Sequence, residues 1–174
     1  AFYAKQIALT PEIGTSNWGY AISIGSILSF IIFFLILFKG NKNSDLGIRF
    51  FNLSFYSLII SVSLLYFFST ESNEYLPLIF VGISLVAFEI LNLFYNLSLH
   101  NVSENKKRGL ISNLGWATGY LGGLLSLITV LIILNLTESN NYKIFGQSIF
   151  LLLGPFVGVW TFVFGLKHIN NFKN

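Results

Sequence analysis

The 174-residue chain is 54% hydrophobic and only 10% charged, with a mean hydropathy of +0.72. Soluble domains carry about 25% charged residues, so a soluble enzyme or an added soluble domain is excluded. The net charge of +3 is divided among separate loops, which argues against a nucleic-acid partner, and the lack of cysteine excludes disulfides and thiolate metal sites.

About 20 apolar residues are needed to cross the hydrocarbon core as a helix. Residues 1–17 read as the outer end of a truncated first helix and its external loop. Five apolar runs follow: about Trp18 to Phe38, Phe50 to Phe68, Tyr75 to Leu99, Leu110 to Leu134 and Gly146 to Leu166. None alternates with period two, and lipid admits sheets only as closed barrels, so strands are not expected. The expected fold is therefore all-α, a polytopic transmembrane bundle over residues 18–169 with a cytoplasmic tail at 170–174. A restored first helix would bring the count to six.

The loops set the expected orientation. Lys39, Lys42 and Arg49 follow the first run, Lys106, Lys107 and Arg108 follow the third, and Lys167 and Lys173 end the chain, which places eight of the ten basic residues on one side. Lys5, Glu12, Glu71, Glu74, Glu138 and Lys143 occupy the other. The positive-inside rule puts the basic side, with the C-terminus, in the cytoplasm. Trp18, Tyr20, Tyr75 and Tyr142 sit near the opposite boundary as an aromatic belt. The bias toward Asn, Ile, Lys, Ser and Phe fits an AT-rich, bacterial genome and hence a bacterial inner membrane.

The fourth run opens on SNLGWATGYLGG. Ser112, Gly115, Gly119, Gly122, Ser126 and Thr129 repeat at alternating spacings of three and four, with Gly123 beside them. Helix association in lipid depends on close packing, which small residues permit. The stripe reads as a helix-packing groove, either a tight static contact or the track of a moving partner.

With FYNLSLHNVSENKKRG ahead of it, this run resembles the vacuolar amino-acid effluxer-like branch of the major facilitator superfamily, which includes the fungal autophagy-related effluxers. The resemblance rests on Arg108, Ser112, Gly115, Trp116, Ala117, Gly119, Tyr120, Gly122 and Gly123, with Phe94-Tyr95-Asn96 upstream and NWGYAIS from Asn17. It implies that the five runs correspond to the second to sixth helices of an N-terminal half. One departure lies in KGNKNSDLGIRF: Gly40, Asp45, Gly47 and Arg49 supply the residue types of the superfamily's loop motif at the wrong spacing. Tyr120 stands where the antiporter signature would have proline, so antiport is not inferred.

Glu89 is the one acidic residue inside a predicted span. An ionised side chain at mid-bilayer costs about 2.5–3.5 kcal/mol by insertion assays, so Glu89 is expected to face the bundle interior or a water-filled cavity. Asn92, Asn96 and His100 continue roughly its face. Glu89, Asn92 and Asn96, with Trp116 and Tyr120, are the candidates for a substrate or proton path; a protonated Glu89 in a structural hydrogen bond is the alternative. His100 and His168 read as interfacial or solvated. Gly154-Pro155 is expected to kink the last run, and Pro77 falls in a first helical turn.

No Walker loop, dinucleotide fingerprint or metal-ligand spacing is present, so no enzyme, cofactor or metal is expected. The residues and the resemblance together point to alternating-access transport of a small solute, with amino-acid efflux favoured and proton coupling open. The expected partners are the bilayer, the solute and a missing second six-helix half, in the same chain or another. The alternative is a non-transporting subunit or half-transporter that needs a partner chain.

Overall fold

The computed structural model describes residues 3, 8–40, 44–68, 74–102, 107–138, 143–144, 147–148 and 152–171. Lys5, Lys42, Glu71, Lys106, Tyr142 and Lys173 of the topology argument lie outside them. Among the described residues five α-helices run in order: α1 (Pro11–Gly40), α2 (Ser44–Leu64), α3 (Tyr75–Val102), α4 (Arg108–Glu138) and α5 (Leu153–Asn171). A 3-10 turn, Leu65–Phe67, extends α2.

Local chemistry fixes where α1 begins. Thr10 Oγ1 accepts a hydrogen bond from the Ile13 N–H at 3.3 Å, Pro11 occupies the first helical position, and Glu12 adds an anion to the first turn. Each favours a helix N-terminus. Residues 11–17, expected to be loop, are therefore helical. Lys143–Ile144 and Gln147–Ser148 form a two-residue antiparallel ladder, β1 with β2, with Lys143 opposite Ser148. No strand was expected here, and Gln147–Ser148 falls inside the fifth predicted run. A hairpin joining two helices satisfies its backbone pairwise without any sheet crossing lipid.

Among the described residues, three segments are long and apolar enough to cross a membrane: Pro11–Phe38, Gly47–Phe67 and Tyr75–Leu97. α4 spans 31 residues, and the apolar stretch of α5 covers Leu153–Val163. Polar residues on the spans are satisfied locally. Ser29 Oγ donates to the Gly25 carbonyl at 2.8 Å and Ser61 Oγ to the Leu58 carbonyl at 3.1 Å, so neither leaves an unmet hydroxyl in an apolar medium.

The chain divides into two compact units, Ala1–Leu93 with Ile149–Asn174, and Phe94–Ser148. In the first, Ile36, Phe51, Phe55, Leu58, Leu78, Ala87, Ile90 and Leu93 are buried. Its most extensive helix pairing is α2 with α5, and the α5 glycines explain it. A Cβ at Gly154 would overlap the Val62 carbonyl, one at Gly158 the Ser63 hydroxyl, and one at Gly165 the Phe55 ring. Without those methyls the two backbones approach as small-residue interfaces in membranes do. Pro155 lies in the first turn of α5, where its missing N–H has no intrahelical acceptor to lose. Gly154-Pro155 thus starts a helix instead of kinking one, which corrects the expectation for this pair.

Candidate functional site

α3 presents two different faces in the first unit. Leu78, Ala87 and Ile90 are buried toward the core, whereas Glu89 is exposed and Asn92, one turn on, is half-buried. The helical repeat forces this division, because neighbouring positions differ by about 100°. Glu89 therefore sits within the Tyr75–Leu97 span without being covered by the helices of its own unit. The sequence had led us to expect it inside the bundle.

The second unit holds the other candidates. Asn96 is exposed near the end of α3. Trp116 and Tyr120 stack along α4, ring centroids 6.0 Å apart and tilted by 34°, and both are exposed. On the small-residue stripe, a Cβ at Gly115 would run into the Tyr95 hydroxyl, while at Gly119, Gly122 and Gly123 it would meet nothing within 4 Å. Ser112 is half-buried and Ser126 exposed. Thr118 and Thr129 turn their hydroxyls back onto α4 carbonyls at 2.8–3.0 Å.

A cavity of about 760 Å³ lies between α1, α2 and α3, with Ile24, Leu28, Leu53, Ser54, Ile83 and Ile90 among its walls. That volume is in the range of small-ligand sites, which are mostly apolar with a few placed polar groups. Glu89 and Asn92 do not line it. Gly25 lets α1 approach α3 beside it: a Cβ there would stand 3.0 Å from Leu85 Cδ2 and 3.7 Å from Gly82 Cα. The sequence reading missed this cavity. Gly82 was its available signal, as the single glycine of the long apolar helix α3.

The end of the cavity that holds Asn17, Tyr20 and Tyr75 adjoins a buried tyrosine. Tyr3 is 6% exposed and its ring lies 6.0 Å from that of Trp18. Its hydroxyl makes no hydrogen bond of good geometry, although the Asn17 side chain is close. Burial raises the Tyr3 phenol above its ordinary 10.0; Asn17 opposes this, and Glu74 and Tyr75 add to it. No group of three or more His, Cys, Asp or Glu able to hold a metal occurs among the described residues.

Comparison with known proteins bears on the same helices. Residues 96–173 match the family of vacuole effluxer Atg22-like proteins. Over 96% of its length the chain is 24% identical to the uncharacterized MFS-type transporter YxiO of Bacillus subtilis (strain 168). The chain is similar to MFS-type membrane transporters. It spans 39% of the length of YxiO. No solved structure matches it. The family match begins at Asn96 and takes in the whole glycine-rich opening of α4, the segment on which the sequence resemblance chiefly rests.

Proposed function

We propose that this chain supplies helices to an MFS-type transporter that moves a small solute by alternating access, one half rocking against the other around a midplane site. Amino-acid efflux is the substrate class that the resemblance favours. Glu89 is assigned to proton coupling or to binding a substrate amine, with Asn92 and Asn96 as hydrogen-bonding partners and Trp116 and Tyr120 along the path.

The observation that carries this reading is the exposure of Glu89 inside an apolar span. A carboxylate facing lipid is costly, and intramembrane ionisable groups normally face a bundle interior or a watery path. A surface formed outside this unit, facing Glu89, accounts for the arrangement. The basic loops favour a cytoplasmic C-terminus, in a bacterial inner membrane.

A second reading is favoured by coverage: the chain spans 39% of the length of the relative it matches. On that reading it is a half-transporter or subunit that acts only with a partner chain. The test is uptake of a labelled amino-acid mixture into inverted vesicles, with the chain expressed alone and together with a chain that supplies the helices of a second half. Proton-dependent uptake that Glu89→Gln abolishes, with folding intact, supports the transporter reading. Uptake only on co-expression supports the half-transporter. Uptake insensitive to Glu89→Gln removes Glu89 from the mechanism.

A further inference from the structure

The cavity between α1, α2 and α3 has no part in the transport reading, and its chemistry is distinctive. Its walls are almost wholly apolar and it is partly open along one side. Between membrane-spanning helices such an opening faces hydrocarbon chains, and no polar lining selects against them. Asn17, Tyr20 and Tyr75 line one end, Tyr3 and Trp18 pack beside that end, and Ser54 and Ser57 are the other polar side chains of the wall. Glu74, next to Tyr75 in the chain and close enough to act on the Tyr3 phenol, places a carboxylate near this end. Glu74 Oε2 accepts a long hydrogen bond of 3.4 Å from the Leu9 N–H, which leaves further lone pairs on that carboxylate.

Carboxylates attract an ammonium group and repel a purely anionic head, and aromatic faces add a cation–π attraction. Depth agrees with an acyl chain below such a head. Gly82 lies seven residues into α3 from Tyr75, about 10 Å along the axis, inside the roughly 15 Å that is half of a hydrocarbon core. A Cβ at Gly82 would meet nothing within 4 Å, so the groove is open at that level.

We propose that this groove binds a bilayer lipid, its acyl chain lying over Gly82 and its amine-bearing headgroup, of the ethanolamine type, held at the Glu74 end. The assignment rests on the helices lying in a membrane and is independent of whether the protein transports anything.

The test is native mass spectrometry of the full chain released from nanodiscs of equal parts phosphatidylethanolamine and phosphatidylglycerol. The wild type is expected to retain phosphatidylethanolamine selectively. Gly82→Leu fills the groove and should lose the retained lipid. Gly19→Leu also enters open space but lies off the groove, so it should retain lipid as the wild type does. Glu74→Gln should keep a bound lipid while losing the preference for the amine. Equal retention of both lipids by the wild type overturns the proposal. So does undiminished retention by Gly82→Leu, or a photocrosslink from Ile83 to a protein segment instead of to lipid.

Discussion

Replacing Gly154 by alanine should destabilise the chain, and replacing Gly122 by alanine should not. The two residues sit in apolar helices and look alike in sequence. At Gly122 a new methyl meets nothing within 4 Å, and alanine is the better helix former by about 1 kcal/mol in water. At Gly154 the methyl would overlap the Val62 carbonyl oxygen, with the carbonyl carbon at 3.3 Å and Leu65 Cβ at 3.4 Å. Those are main-chain and Cβ atoms, which cannot rotate aside, so α5 must back away from α2. Overpacking of this kind costs about 1–3 kcal/mol. After the gain in helix propensity, a net loss of up to about 2 kcal/mol remains. Gly158→Ala should cost less, because the first obstacle there is the Ser63 hydroxyl, which can swing; the Ile59 carbonyl oxygen then stands at 3.3 Å.

A loss of about 2 kcal/mol lowers Tm by roughly 4–8 °C in a chain of this size. Thermal unfolding in detergent, followed by far-UV circular dichroism, reads this directly. The expected order of Tm is Gly122→Ala at or above wild type, then Gly158→Ala, then Gly154→Ala. If Gly154→Ala melts with or above Gly122→Ala, the α2–α5 seam is not held together by close backbone approach and the reasoning fails.

Other expectations follow from the same structure. Gly122→Leu should leave the Tm of this chain unchanged yet abolish solute uptake by the assembled transporter, if the α4 stripe receives a helix from the remainder of the transporter; uptake at wild-type level would refute that. Tyr3→Phe should not lower Tm at neutral pH, because it removes a buried hydroxyl without a good hydrogen bond. The raised Tyr3 pKa makes the folded state hold its proton longer than the unfolded one, so stability is present in full below pH 10 and declines as pH rises through the folded value. Tyr3→Phe should flatten that decline in an alkaline Tm series, and an identical slope would remove Tyr3 as its cause. The native absence of cysteine permits topology mapping by single substitutions: Asn43→Cys and Asn105→Cys should be shielded from an impermeant thiol reagent in intact cells, and Ser72→Cys and Ser139→Cys labelled. The reverse pattern would invert the orientation.

The long apolar runs were legible because bilayer thickness translates directly into residue number. Helix starts were less so. Thr10-Pro11-Glu12 carries a cap, a first-turn proline and a first-turn acid, yet a count of apolar residues passes over all three, and α1 begins seven residues before Trp18 as a result. Pro155 failed for a related reason. Proline bends a helix only when enough helix precedes it, and Leu153 begins α5 two residues earlier.

The glycines mark the deeper limit. A stripe of small residues states that a helix can be approached closely but not which helix approaches it. On α4 the repeat is long and regular, yet Gly119, Gly122 and Gly123 have no close neighbour in the described structure. On α5 three glycines at irregular spacing meet the Val62 carbonyl, Ser63 and Phe55 of α2. The information that separates the two cases lies in the partner's surface, so no inspection of α4 or α5 alone could supply it. Glu89 follows the same logic, since its place within the span could be read from sequence but the face it presents depended on which side of α3 took Ala87 and Ile90 into the core. An exposed carboxylate on α3 and an open glycine stripe on α4 are each unfavourable in lipid unless another surface covers them. On the proposed transporter reading, both costs are removed together if helices from a second half pack against these faces, which is why uptake measured with and without those helices discriminates better than any substitution within this chain.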